Sequence, residues 1–263
     1  MCNFRGSEGL SRNSSGRSGF TLSIIPPRRH ASDKFVVRFL TMILTPILRS
    51  DLPEIVNRFA RSLSRSSARR ILARIAATRA ERAAPATAAI HRLRAKTIAN
   101  ALGIPVRPGM PSQGFGWDGR ALRGWTEAYV LLHEVAHYQL ASSARRRRHE
   151  FGLGPGPETG WRAAAERAAS LTDGGRRQRE EAKASLLGIL WEVELGQPAL
   201  ASFLDQNWLE GAGRPGAAAF FEGTLIDLIG DRLITATGRP RLAIRSTPDR
   251  ALASGPRQNA RLF

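Results

Sequence analysis

The chain has 263 residues, 42% of them hydrophobic, which is enough for one large domain or two small ones with a real core. Its single cysteine, Cys2, excludes a disulfide framework and any cysteine-rich zinc module, so we expect a cytoplasmic protein. The net charge of +18 is typical of proteins with polyanionic partners, but it is carried by arginine, with lysine only at Lys34, Lys96 and Lys183. Because no nucleic-acid-binding motif accompanies the charge, we expect no specific nucleic acid partner.

The first 41 residues are rich in Ser, Gly and Arg and lack a sustained apolar periodicity. This composition predicts a disordered extension. A true start at Met42 and a transit peptide are alternative interpretations of the same stretch. The apolar run over residues 35–48 is interrupted by Arg38 and Pro46 and is too short to cross a membrane, so we expect no membrane span.

Residues 42–104 are predicted to form a basic helical region, because apolar residues recur at helical spacing among arginines. The first two helices are centred on Phe59 and Ile71. In the third, residues 87–102, the spacing predicts that Ile90, Leu93 and Ile98 face inward. The same spacing places four polar residues in solvent, namely His91, Arg92, Arg94 and Lys96. Such helices lie on a membrane or on RNA, or pack onto a domain with solvated basic faces; we favour the last.

Residues 105–236 contain the motif His133-Glu-Val-Ala-His137 within an apolar segment that predicts a buried helix. Positions four apart lie on one face of a helix, so both imidazoles can bind one metal ion while Glu134 projects beside an open coordination position. The alternative is a pair of core histidines with a solvated Glu134. A buried charge between two polar rings needs partners, and a metal ion is the commonest one.

A third protein ligand is expected in a catalytic site of this kind. Glu180 and Glu181 are the candidates, since they lie on the next long predicted helix, residues 178–195. Small residues lie on the same face of that helix as Glu181. Their small size would let the metal helix approach closely, so that a carboxylate could reach the two histidines. That stripe consists of Ala184, Ser185 and Gly188, followed by Glu192.

The remaining segments complete a mainly α fold, a compact helical HExxH domain. A Gly-rich stretch, residues 113–119, predicts a loop or short hairpin before the metal helix. The arginine run 145–148 is predicted as a solvated helix end close enough to the site to steer an acidic substrate. Residues 237–263 are predicted to be a flexible basic tail.

Two chemistries suit two histidines and a carboxylate. With zinc, Glu134 would act as general base on a metal-bound water, which gives peptide hydrolysis. With iron, the ligand types are those of the facial triad of oxygenases, and Glu134 or Glu180 could hold a second metal.

Residues from about 125 to 235 resemble the elongation factor P hydroxylase family, which hydroxylates a modified lysine of that translation factor. The matching residues are Leu132-His-Glu-Val-Ala-His137, Ala141, Ala144-Arg-Arg146, Phe151-Gly152, Pro157-Glu158, Glu181-Ala-Lys183, Gly196-Gln-Pro198 and Asn207-Trp-Leu-Glu-Gly211. The resemblance implies His133, His137 and Glu181 as metal ligands, Glu134 as catalytic or metal-bridging, iron in preference to zinc, and a protein substrate. The chain departs from the family in the loop after Phe151-Gly152, where Leu153-Gly-Pro155 replaces an aromatic cluster.

A more remote resemblance is to compact zinc peptidases, in which an HExxH helix is followed by a helix with the pattern Glu-x-x-Ala. Glu181 and Ala184 have that spacing. A third interpretation is a basic nucleic-acid- or partner-binding protein with a structural metal, which would leave Glu134 without an evident role.

Overall fold

Helices make up most of the chain that the structure describes, which confirms the mainly α fold class. The computed structural model describes residues 47–108, 116–123, 126–156, 159, 161–171, 173–209, 213 and 216–245. The predictions for residues 1–41 and for a start at Met42 fall outside this part. The helices and strands are α1 (Leu52–Ser62), α2 (Ser66–Ala76), α3 (Pro85–Ala101), β1 (Val106–Arg107), β2 (Leu122–Arg123), α4 (Ala128–Leu140), α5 (Arg162–Ala168), α6 (Gly174–Glu194), α7 (Ala199–Asp205) and α8 (Ala217–Gly230).

The first two helices bury their apolar faces as their spacing predicts. Phe59 of α1 and Ile71 of α2 are fully buried, and the Phe59 ring meets the rings of Phe203 and Phe221 at 6.4 and 5.6 Å. The adjacent arginines of α2, such as Arg69, are exposed. These basic helices therefore share the apolar core of α4 and α6 and keep their charge in solvent.

The predicted orientation of α3 is wrong for Ile90, Leu93 and His91, whereas Ile98 packs against the core as predicted. Ile90 and Leu93 are 52% and 66% exposed, whereas His91, Ala95 and Ala99 face the core. The buried residues recur every four positions and two of them are alanines, so the backbone of α3 can lie close against α4. Apolar size favoured the other face in the sequence, but close packing against α4 selects the face with the small residues.

The centre of the domain is the contact between α4 and α6, both of which are rich in fully buried residues. A methyl group at Gly188 of α6 would lie 3.2 Å from the Cα and N atoms of His133 on α4, so the two backbones almost touch. The C-terminal half of α6 is buried around most of its circumference, including Leu186, Leu187 and Leu190. The small-residue stripe therefore brings α6 against the metal helix, as the sequence predicts.

A short turn precedes the metal helix at residues 117–122; of the stretch predicted as a loop or short hairpin, residues 113–115 lie outside the described part. Trp117 and Leu122 form an antiparallel bridge, and the Asp118 N–H donates to the Ala121 carbonyl across the turn. β2 also pairs in parallel with β1, with Val106 opposite Leu122. The indole of Trp117 stacks on the ring of Phe151.

The first part of the segment predicted as a flexible tail lies against the metal helix. The buried side-chain amide of Gln139 donates to the carbonyls of Arg241 and Ala243 at 2.9 and 2.7 Å, and the Arg245 N–H donates to the Gln139 carbonyl. Residues 246–263 lie outside the described part. None of the helices in the described ranges is long and apolar enough to cross a membrane.

Candidate metal centre

Helix α4 places the two histidines of the motif side by side at its solvent-accessible edge. Leu132, Val135 and Ala136 are fully buried and fix the helix in the core. The side chain of His133 is 25% exposed and that of His137 is 5% exposed. Their Nε2 atoms are 3.0 Å apart, as expected for imidazoles separated by four helical residues and turned to a common point.

Helix α6 supplies the third donor. The helix begins at Gly174, four residues earlier than predicted, because the Asp173 carboxylate accepts hydrogen bonds from the N–H groups of Gly175 and Arg176 and caps it. Two turns later, Glu181 places Oε2 at 3.3 Å from Nε2 of His137 and 3.6 Å from Nε2 of His133. His133, His137 and Glu181 thus form a group that could hold a metal ion.

The separations among these three atoms fit a metal centre. Bonds of about 2.0–2.1 Å separate the ligand atoms of a tetrahedral site by about 3.3–3.4 Å, and cis ligands of an octahedral site by about 2.9 Å. The observed values of 3.0, 3.3 and 3.6 Å bracket the tetrahedral distance and overlap the octahedral one. The donor set therefore suits zinc or non-haem iron, and among the described residues no second group of this kind is present.

Glu180, the alternative third ligand, is not part of this group and approaches only the Nδ1 side of His137. Its carboxylate forms a two-pronged, buried ion pair with the guanidinium of Arg145, with 2.6 Å between Arg145 Nη1 and Glu180 Oε2. Its Oε1 lies 4.0 Å from Nδ1 of His137, which has no hydrogen-bond partner among the described residues. Although burial alone would raise the pKa of Glu180, the Arg145 guanidinium lowers it to about 2. Glu180 therefore stays ionised behind His137 and stabilises a positive charge at the site.

The prediction that residues 145–148 form a solvated cationic end is wrong for Arg145, whereas Arg147 and Arg148 are exposed as predicted. Arg145 is 5% exposed, and its Nε also donates to the Phe151 carbonyl. Arg146 donates to the carbonyls of Ala141 and Arg245, and Arg148 to that of Ala168. The Phe151 carbonyl and the Glu180 carboxylate thus bind Arg145, which sequence spacing alone assigns to solvent.

Glu134 lies between the histidines in sequence and faces a cavity of about 350 Å³ beside them. Glu134 is 8% exposed, and its buried Oε2 atom has no hydrogen-bond partner among the described residues. Burial raises the pKa of this carboxyl. A buried carboxylate oxygen without a donor is costly, so it marks a place for a proton, a water or a substrate group.

The electrostatics of the site favour a cation at the three donors. Burial alone would lower the pKa of His137, but the carboxylates of Glu181 and Glu180 raise it well above its ordinary value. Burial would raise the pKa of Glu181, but the imidazoles of His137 and His133 lower it. Positive charge between these groups, whether protons or a metal ion, is thus stabilised by both carboxylates.

The same cavity contains one acidic residue that the sequence did not single out, Glu150. It precedes Phe151-Gly152, the pair that carries part of the family resemblance, and this proximity is the only signal that could have found it. The Phe151 ring stacks on Trp117 at 5.3 Å and on His137 at 5.8 Å, so the loop is fixed against the metal ligands. A second cavity of about 420 Å³ shares His133 and Glu181 with the first.

Comparison of the chain with protein-family models, with curated proteins and with solved structures finds no match. The resemblance to elongation factor P hydroxylases therefore remains a prediction from the residues quoted above.

Proposed function

We propose that the chain is a metal-dependent enzyme that modifies a protein substrate, most simply an elongation factor P hydroxylase-like enzyme that hydroxylates a modified lysine. The observation that carries the proposal is the convergence of His133, His137 and Glu181 beside a cavity that Glu134 also faces. The described residues supply three donors to this group, which would leave coordination positions open toward the cavity, as in catalytic and unlike closed structural sites.

The two adjoining cavities support a polypeptide substrate. They share His133, Glu181 and Gln206, so the metal donors lie between them. The second cavity is bordered by Trp208 and Phe220, whose rings stack at 5.8 Å. An extended segment could rest on this aromatic wall while one side chain enters the first cavity.

Iron at the three donors would supply the redox chemistry for dioxygen. In the balanced reaction, a substrate C–H bond and one dioxygen molecule, with two electrons and two protons, give a C–OH group and one water. A small-molecule two-electron reductant supplies the electrons. Glu134 can give or take a proton at Oε2, and Glu181 and the histidines fix the position of the reacting groups.

The second candidate function is zinc-dependent peptide hydrolysis. It is favoured by the free Oε2 atom of Glu134, which can take the proton of an attacking water and then protonate the leaving amine. The separations among the three donors, close to the tetrahedral value, suit zinc.

Identifying the bound metal and the reaction product distinguishes the two candidate functions. Protein purified without a histidine tag is analysed for bound elements, then incubated with modified elongation factor P, iron(II), reductant and air, and the factor is measured by intact mass. A gain of one oxygen atom that is lost in Glu134→Gln supports the hydroxylase. Bound zinc, no mass gain and zinc-dependent cleavage of the partner would assign the peptidase function instead.

A further inference from the structure

Residues 150–152 form a left-handed turn at the edge of the metal cavity. The φ angles of Glu150, Phe151 and Gly152 are 46°, 52° and 70°. Two consecutive residues with side chains seldom adopt this conformation, because Cβ approaches the following carbonyl oxygen. Strained backbone of this kind persists only where the surrounding structure enforces it, and it is concentrated at functional sites.

Hydrogen bonds and ring contacts hold the turn on both sides. The Glu150 N–H donates to the Trp117 carbonyl at 2.9 Å, and Arg145 Nε donates to the Phe151 carbonyl at 2.8 Å. The Gly152 carbonyl accepts the Ser170 N–H at 2.8 Å. The Phe151 ring then packs against Trp117, as described above. The turn is thus built into the domain, and it fixes where the Glu150 side chain leaves the backbone.

Glycine at position 116 leaves the space that the Glu150 carboxylate occupies. A methyl group added at Gly116 would overlap Oε1 and the carboxyl carbon of Glu150. The φ of Gly116 is +140°, which also favours glycine. The hairpin before the metal helix and the turn after it therefore cooperate to place one carboxylate in the cavity.

Acidic groups outnumber basic ones among the described residues that line this cavity. The described residues of its walls include Glu134, Glu150 and Glu181 but no arginine or lysine. Glu150 forms no ion pair with any residue in the described ranges. With all three carboxyl groups ionised, the two positive charges of a divalent metal leave one negative charge in the cavity. Glu150 is half-buried in the cavity, where a carboxylate without a charged partner is costly, and one monovalent cation would neutralise it.

We propose that Glu150 is a specificity-determining residue that receives the cationic end of a substrate side chain, such as a lysine ammonium, beside the metal. This inference rests on the proposed function, since it assigns the substrate group that the same cavity accepts. Apolar walls from Val130, Phe151 and Leu153 would contact the aliphatic part of that side chain. Burial, followed by the charge of Glu134, raises the pKa of Glu150 to about 8, which is consistent with a carboxyl that lacks its cation.

The test uses two small probes that differ only in the ammonium group, Nα-acetyl-lysine methylamide and Nα-acetyl-norleucine methylamide. Binding of each to the full chain loaded with zinc is measured by calorimetry, and bound metal is measured in parallel. We expect the lysine probe to bind more tightly than the norleucine probe, and Glu150→Gln to reduce this preference by about tenfold to a hundredfold. Glu166→Gln, an exposed glutamate on α5, is the matched control and should leave the preference unchanged.

Three outcomes would overturn the proposal: an unchanged preference in Glu150→Gln, equal binding of both probes by the unaltered chain, or loss of bound metal in Glu150→Gln, which would make this residue a ligand. If Glu150→Gln does not fold, Glu150→Asp decides, since it keeps the charge but withdraws the carboxylate by one methylene. A reduced preference in that variant supports the proposal and an unchanged one contradicts it. A chain that binds no metal contradicts the proposed function itself, whatever the probes do.

Discussion

Replacement of Gly188 by alanine tests the contact on which the metal centre depends. The added methyl group would lie 3.2 Å from two backbone atoms of His133, whereas carbon atoms pack best at about 3.5–4.0 Å. The two helices must therefore separate by roughly 0.3–0.8 Å, or the side chains around them must adjust. Backbone atoms of a buried helix have little freedom to give way, unlike the end of a flexible side chain.

Two opposing effects set the expected stability of Gly188→Ala. Alanine in place of glycine within a helix is favourable by about 1 kcal/mol, and overpacking in a core costs about 1–3 kcal/mol. We expect a net loss between roughly zero and 2 kcal/mol in the free energy of unfolding. Gly223→Ala is the matched control, because nothing lies within 4 Å of a methyl group at that position of α8. The control should gain about 0.5–1 kcal/mol.

Metal affinity provides the second measurement on Gly188→Ala. A shift of several tenths of an ångström exceeds the tolerance of about 0.2 Å in metal–ligand distances, so Glu181 must be displaced from the histidines. We expect affinity for zinc to fall about tenfold in Gly188→Ala and to stay unchanged in Gly223→Ala. Denaturant unfolding and competition with a chelator give the two quantities. Equal stabilisation by both substitutions, with unchanged affinity, would refute the close contact between α4 and α6.

Three further predictions concern single side chains. His133→Ala and His137→Ala should each abolish stoichiometric metal binding, measured by elemental analysis, and full occupancy in either would refute the site. Glu181→Gln should weaken metal binding more than Glu180→Gln in a chelator competition; the reverse order would make Glu180 the ligand. Burial raises the pKa of Glu192 to about 8, so the folded chain holds a proton there that the unfolded chain releases near pH 4.5. The contribution of the protonated Glu192 to the free energy of unfolding is complete below pH 4.5 and is lost as the pH rises to 8. The loss is at most about 1.4 kcal/mol per pH unit. Glu192→Gln should flatten the pH dependence of unfolding in that window, and an unchanged slope would contradict the assignment.

The parts of the site that could be predicted from sequence are those set by local periodicity. Helical spacing alone places His133 and His137 together, and the stripe of small residues around Gly188 indicates a second helix close enough to deliver Glu181. The choice between Glu180 and Glu181 depended on the family resemblance as well, and the geometry agrees with Glu181.

The features that could not be predicted depend on contacts between distant residues. Arg145 pairs with Glu180, 35 positions away, and the arginine run gives no sign of which member is buried. The face of α3 is chosen by how closely its alanines allow α4 to approach. Glu150 enters the cavity because a left-handed turn holds its backbone. Neither Glu150 nor Phe151 is of a residue type that favours this conformation.

On the proposed function, the opposite signs of the overall charge and of the cavity would act at two different stages of substrate binding. A net charge of +18 would attract an acidic partner before the two proteins touch. At physiological salt this attraction is largely screened at separations above about 8 Å. The carboxylates of Glu134 and Glu150 act only on a group that has already entered the cavity, where screening is weaker. Raising the salt concentration should therefore slow association with an acidic partner protein, measured by stopped flow, while the preference for the lysine probe over the norleucine probe changes little. A preference that falls as steeply as the association rate would show that surface charge, and not Glu150, selects the cation.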